Sequence, residues 1–331
     1  MASTGTNAKA VRVHAVGGPE SLQLDDVVLP APTEKQVLVE VYDAGVNYID
    51  TYHRTGLYKL PLPLTLGREA AGIIRAVGSA SSDLAVGDRV VFISGGSYAS
   101  HVLVDAASCV KLPAGLSLKD AAAAHLQGIT AHSFITSVYP IKANDFVLIH
   151  AAAGGTGNLM VQIAKIKGAI VIATVGSSEK AKLASEAGAD HVINYNEQDF
   201  VEEVKKITNG EGVHAVFDGV GKSTFDGSMK SLRERGYLVT FGNASGPVPP
   251  VEPLQLTNAG SIYLVRPTMM HFIEKREELV QRVNDLHQWI VDGKLKLRIA
   301  KEFPLEQAKE AHQALESRQY AGKIILHIKD E

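Results

Sequence analysis

Cysteine is almost missing from these 331 residues, and the one present, Cys109, excludes an intramolecular disulfide and any four-cysteine zinc lobe. An excess of either charge sign is missing too. Lys and Arg (33) nearly match Asp and Glu (36), and the net charge of -3 offers no general attraction for nucleic-acid backbones or anionic lipid. No apolar run is long enough to span a bilayer, since the longest are strand-sized and closed by Gly, Asp or His. The opening MASTGTNAKA lacks the arginines of a transit peptide and the apolar stretch of a secretory signal, so a frayed tail and a cytoplasmic location are expected. The 12 histidines are scattered without metal-ligand spacing. His125 and His132 therefore read as core or surface residues of one helix, and no metal is expected.

What is present is the composition of a folded, turn-rich chain, 45% hydrophobic and 21% charged with 30 glycines, and long enough for two domains. From Ala10 to about Gly115 it carries short β-rich runs such as VLVEVYDAGV and GDRVVFI between Gly and Pro turns. An alanine-rich helical stretch after Ser117 marks the crossing into a different rhythm. From Asp145 strands and helices alternate, with apolar residues three or four apart in each helix, as in Phe200, Val201, Val204 and Ile207. That alternation predicts a doubly wound parallel sheet. It continues through a helix containing Phe225, Met229 and Leu232, the strand YLVTFG, and a short strand SIYLV at Ser261 to Val265. The remainder reads as one helix, EKREELVQRVNDLHQWIVDG, and one strand, KIILHI. A lone helix and strand cannot bury their apolar faces, so they are expected to fold back on the first domain.

The most informative motif is AAAGGTG, Ala151 to Gly157, set between a predicted strand and a predicted helix. There Gly154, Gly155, Thr156 and Gly157 would let the backbone approach a pyrophosphate, with the helix dipole and free amides attracting its charge. The setting points to a dinucleotide, although alanine replaces the first glycine of the usual fingerprint. An NAD site normally ends its second strand in an acidic residue; here the strand runs into Gly176 and Ser177. A 2′-phosphate meets no repulsion at that point, Lys180 can supply positive charge, and Tyr195 ends the third strand within reach. NADPH is expected over NADH, with Glu179 pointing outward.

The segments AGVNYIDTYHRTGLY, GREAAGIIRAVG, GDRVV and AAAGGTG, in this order and spacing, resemble the zinc-free quinone oxidoreductases related to zeta-crystallin, within the medium-chain dehydrogenase/reductase superfamily. The resemblance covers almost the entire chain. It implies an α/β protein with a GroES-like β-rich catalytic domain (1–128 and 268–331) and a doubly wound Rossmann domain with a parallel sheet (129–267). Zinc-dependent relatives carry a cysteine where this chain has Asn47 and a histidine where it has Arg68, and neither residue replaces those ligands. The implied activity is hydride transfer from NADPH to a quinone-like small molecule, whose reduction gains driving force from the aromatic product.

By the same resemblance Asn47, Tyr52 and Tyr58 are catalytic candidates beside the nicotinamide, with Asn47 and Tyr52 also touching the cofactor; the alternative is that all three pack their loop. Thr130, Phe241, Gly242, Asn243, Arg266 and Pro267 are implied to contact the nicotinamide half, although Arg266 also suits an interface. An exposed apolar edge strand near Ser261 to Val265 suits a homodimer, as in relatives. Two further readings stand beside quinone reduction: NADPH-dependent reduction of enones or alkenals, and an RNA-binding or structural role of the crystallin type. Balanced charge speaks against RNA.

Overall fold

The computed structural model describes residues 5–80, 83–318 and 320–331. The first part of the chain supplies β1 (Thr6–Val13), β2 (Leu22–Leu29), β3 (Gln36–Val46), helix α1 (Tyr48–Thr55), β4 (Leu64–Thr65), β5 (Glu69–Val77), β6 (Arg89–Ile93), β7 (His101–Asp105), β8 (Cys109–Lys111) and helix α2 (Leu118–Ser133). The middle part alternates: β9 (Phe146–Ile149), α3 (Gly155–Ile166), β10 (Ile170–Val175), α4 (Ser178–Glu186), β11 (His191–Asn194), α5 (Phe200–Ile207), β12 (Val213–Asp218), α6 (Phe225–Lys230), β13 (Leu232–Thr240), α7 (Pro253–Asn258) and β14 (Tyr263–Val265). Then follow α8 (Arg276–Val291), β15 (Ile299–Pro304), α9 (Ala308–Glu316) and β16 (Lys323–His327).

These elements form two units. One gathers the chain up to Leu126 with Leu279–Val291 and Leu297–Glu331; the other holds Gln127–Glu278 and Asp292–Lys296. In the first unit β3 is the central strand of a sheet ordered β15-β16-β3-β5-β6-β8, and β7 pairs with β3 as well. β16 runs antiparallel to β3, with Ile325 opposite Gly45. Its middle three residues, Ile324–Leu326, are apolar and buried, and Ile324 and Leu326 share a core cluster with Val37, Val39 and Val41 of β3. A separate sheet, β2-β1-β4, lies in the same unit.

The second unit is built on a six-stranded sheet ordered β11-β10-β9-β12-β13-β14, and every neighbouring pair is parallel. Strand order runs outward from β9 in one direction and from β12 in the other. The reversal makes the gap beyond the carboxyl ends of β9 and β12 the topological switch point, where open α/β sheets collect ligands. Leu148, Ile172, Val216 and Leu238, one from each of β9, β10, β12 and β13, form the apolar centre of this unit.

Several expectations need correction. The tail read into MASTGTNAKA falls partly on residues 1–4, outside the described residues, but β1 already begins at Thr6 and pairs with β2 along its whole length. Leu232 is not on the preceding helix: α6 ends at Lys230, and Leu232 opens β13 opposite Val213. The cause is an irregularity in β13, where Arg235 takes a left-handed conformation (φ 56°) and shifts the register before Tyr237. The edge strand is shorter than SIYLV, since Ser261 has φ 55° and pairing begins at Tyr263. The C-terminal part is more than one helix and one strand. β15 and α9 lie between them, and the apolar side of α9 is made of Ala308, Ala311 and Ala314, residues too small to stand out as a helical stripe.

Candidate functional site

In the second unit, β9 ends at Ile149 and the chain passes through His150 into the glycine-rich turn. Ala151 holds a left-handed φ of 50°, and Gly154 is the N-cap of α3 without any side-chain hydrogen bond. A turn capped this way leaves the first amides of a 12-residue helix to a ligand, on the positive end of its dipole. Gly157 is required by packing: a Cβ there would collide with the carbonyl oxygen of Ala151. Gly155 and Thr156 form the first turn itself and are half-buried.

The neighbouring strand β10 ends at Val175, followed by Gly176 and Ser177. Ser177 caps α4, its hydroxyl accepting from the Lys180 amide at 3.3 Å. The Lys180 side chain is half-buried and Glu179 is exposed. The side-chain amide of Asn196 donates to the Gly176 carbonyl at 2.8 Å, tying the end of β11 to this turn beside the half-exposed Tyr195. The residues that follow β10 are Gly176, Ser177 and Ser178, with no carboxylate among them.

Further along the sheet, Phe241, Gly242 and Asn243 follow β13 while Arg266 and Pro267 follow β14. Arg266 gathers this corner: its guanidinium donates to the Thr240 hydroxyl, the Gly242 carbonyl and the Asn243 side-chain oxygen, each at 3.2 Å. Phe241 meets Phe134 edge-on with ring centres 5.4 Å apart. Thr130 is half-buried on α2. The predicted cofactor residues of this unit thus sit just after strands of one sheet, in the first turns of α3 and α4, or on α2.

Asn47, Tyr52 and Tyr58 belong to the first unit. Asn47 is the N-cap of α1 and only 3% exposed. Its side-chain amide donates to Glu69 at 2.7 Å and to the Gly45 carbonyl at 3.2 Å, and its oxygen accepts from the Lys323 ammonium at 2.9 Å. Lys323 also pairs with Glu69, whose second oxygen accepts from the Leu126 amide. Tyr52 and Tyr58 meet edge to face, 5.3 Å between ring centres, and Tyr58 is exposed together with Leu57, Leu60 and Leu62. Lys323 and Glu69 were not among the expected site residues. Glu69 stands inside the GREAAG segment, but nothing in the sequence announces that a lysine on the closing strand is its partner.

A buried relay fixes α1 from below. Arg54 donates to His312 Nδ1 at 2.9 Å and forms two bonds to Glu316, at 3.0 and 2.8 Å. Tyr98 gives its hydroxyl proton to Asp50 at 2.8 Å, which leaves its oxygen to accept from His312 Nε2 at 3.4 Å. Burial, together with the adjacent Arg54 guanidinium, holds His312 neutral, down to about 3. The same burial raises Asp50 to about 7 against the hydrogen bonds from Tyr98 and Asn47, and its second carboxyl oxygen has no partner.

Residues 33–114 match the alcohol dehydrogenase GroES-like domain family, and residues 155–287 match the zinc-binding dehydrogenase family. Together they define the class, a medium-chain dehydrogenase/reductase. The chain is 43% identical to quinone oxidoreductase 1 of Escherichia coli over 324 residues, 96% of this chain and 99% of that one. It is 38% identical to a 2-haloacrylate reductase from Burkholderia over 327 residues, 96% and 98% of the two chains. A crystal structure of Escherichia coli quinone oxidoreductase complexed with NADPH superposes with a TM-score of 0.94 at 42% identity, covering 96% of this chain and 99% of that one. The chain belongs to the quinone oxidoreductase family of the medium-chain dehydrogenases/reductases.

The zinc named by the second family description does not fit the residues here. Where a metal needs thiolate and imidazole, this chain places the Asn47 amide and the Arg68 guanidinium, and the Asn47 oxygen is bonded to an ammonium. A divalent cation there would face the fixed positive charge of Lys323.

Proposed function

We propose that this protein is a zinc-independent NADPH:quinone oxidoreductase. Bound NADPH supplies a hydride, which with one proton converts a quinone to its hydroquinone. The observation that carries the reading is the helix α3 start, open to a diphosphate and shaped by Gly157, beside a β10 end that offers Ser177 and Lys180 in place of a carboxylate. Lys180 supplies the charge for a 2′-phosphate, with Tyr195 alongside. Thr130, Arg266, Pro267 and the Phe241–Asn243 corner hold the nicotinamide half. The aromatic edge of Tyr52 and Tyr58, with Leu57, Leu60 and Leu62, offers a flat apolar acceptor the contact it favours. Asn47, oriented by Lys323 and Glu69, presents a fixed amide rather than a metal ligand.

The test is NADPH consumption against a panel of benzoquinones, naphthoquinones and enones, with NADH as control. Quinones should turn over fastest. Lys180→Ala should raise the KM for NADPH by about tenfold while changing that for NADH by less than about twofold, since only the phosphate loses a partner. Equal rates with NADPH and NADH in the wild type would remove the role given to Lys180. Faster turnover of enones would favour a second reading, reduction of activated alkenes, for which the likeness to a 2-haloacrylate reductase speaks.

We also infer a homodimer formed through β14. It is the edge strand of the six-stranded sheet, and Tyr263, half exposed on it, stacks on Tyr237 of β13 at 4.5 Å.

A further inference from the structure

A buried polar network of the second unit spans the switch point. Asp218, at the end of β12, is fully buried and makes no salt bridge among the described residues. Its carboxylate instead accepts from the Val220 and Gly221 amides at 2.8 and 3.0 Å, from the Thr224 hydroxyl at 2.7 Å and from the Ser228 hydroxyl at 2.9 Å. His150, one residue beyond β9 and 2% exposed, places Nε2 3.0 Å from Ser228 Oγ and Nδ1 2.8 Å from Thr174 Oγ1.

Counting protons orders the chain. Ser228 has one hydroxyl proton, and the carboxylate, having none, takes it; Ser228 Oγ must then accept from His150 Nε2–H. Nδ1 is left as the acceptor, and Thr174 donates to it. Every donor points toward one buried charge, an arrangement in which each bond strengthens the next. Burial keeps the imidazole below its usual range and therefore neutral near pH 7, as the order requires.

Both ends of this chain are fastened to cofactor-facing backbone. Thr174 also accepts the Ala152 amide on its carbonyl at 3.1 Å, so it holds the glycine-rich turn by main chain as well as through His150. The Asp218 carbonyl accepts the Phe241 amide at 2.8 Å, and Gly242 lies so close to Gly219 that a Cβ would collide with its carbonyl oxygen. A shift of His150 or Asp218 therefore moves the diphosphate turn or the Phe241–Asn243 corner.

We propose that His150, Ser228 and Asp218 are positioning residues that lock, across the β9–β12 switch point, the spacing between the glycine-rich turn and the Phe241–Asn243 corner that NADPH requires. The inference rests on the NADPH reading above and adds its internal brace. His150 is 2% exposed with both ring nitrogens bonded to protein hydroxyls, so it acts through the backbone on either side.

The experiment combines titration of the full chain with NADPH, steady-state kinetics and the ring-nitrogen NMR shifts of His150. Ser228→Ala should weaken NADPH by about tenfold, with kcat falling less than KM rises, because the loss lies in binding geometry. Ser228→Thr, which keeps the hydroxyl, should recover most of that loss. Thr174→Val should weaken NADPH by about threefold, and the double variant should be no weaker than Ser228→Ala alone, since both act through one imidazole. The wild-type spectrum should show the Nε2–H tautomer. Unchanged NADPH affinity in Ser228→Ala, strictly additive effects, or the Nδ1–H tautomer would each overturn the proposal. Should Ser228→Ala not fold, Thr174→Val and the tautomer decide it alone. A wild-type protein that binds no NADPH would instead remove the cofactor reading on which the brace depends.

Discussion

Lys323 and Glu69, 3% and 0% exposed at their side chains, form an ion pair whose value depends on both members remaining. Removing one leaves the other charged and buried, whereas replacing both by neutral groups of similar shape costs far less. Lys323→Met should therefore lower unfolding stability by roughly 3–5 kcal/mol in urea titrations, and adding Glu69→Gln to that variant should restore a large part of it. The same pair marks how far single residues could be understood from the sequence. Asn47 and Arg68 already spoke against zinc by their chemistry, and AAAGGTG was legible as the turn between a strand and a helix, which β9 and α3 make it. The partner of Asn47 could not be found that way, because a buried lysine in an apolar closing strand looks like its polar edge until β16 is laid against β3. His150 gave a fainter signal: it precedes the glycine-rich turn directly, yet a lone histidine after a strand carries no meaning until Ser228 and Asp218 arrive beside it.

Helices α1 and α9 are joined by charge and hydrogen bonds as much as by apolar contact. Asp50 and Arg54 are four apart on one, His312 and Glu316 four apart on the other, so each presents its pair on a single face. Asp50 gives this junction a pH dependence with a definite sign. Its folded pKa, about 7, lies above the unfolded value near 4, so the folded state holds the proton more tightly. Its contribution is most favourable below about pH 4 and is lost as pH rises through 7, a change on the order of 4 kcal/mol at most. Asp50→Asn should accordingly raise the melting temperature relative to wild type at pH 8 and do so much less at pH 5, as thermal melts at the two values would reveal. An unchanged difference between them would show that the carboxylate is already ionised at pH 5. Helix α9 also shows why a short helix can leave no stripe in the sequence. Its buried face consists of alanines and a histidine, and it is held by packing on the strands of its unit and by polar partners on α1 rather than by a pattern of its own.

At the scale of the molecule, the alternation of strand and helix from Asp145 onward carried most of the architecture, because a parallel sheet imposes the same strand, turn and helix on each repeat. The first unit was less transparent, since its sheet joins strands from both ends of the sequence and no local pattern records such pairing. Assembly offers a test at this scale. In the β14 dimer proposed above, Tyr263→Lys would bring two ammonium groups together across the two-fold axis, and sedimentation velocity should then show wild type as a dimer and the variant shifted toward monomer. Among the described residues no helix is long and apolar enough to cross a membrane. One arrangement bears on biogenesis: Lys323 bonds to Asn47 from 276 positions downstream. During translation the Asp43–Val46 end of β3, the part not paired by β7, must wait for β16 while the nucleotide-binding unit emerges and folds. A fragment ending at Leu126 would carry Glu69 without its counter-ion and β3 without β16, so proteolysis or expression of that piece should yield an aggregating chain, not an autonomous module.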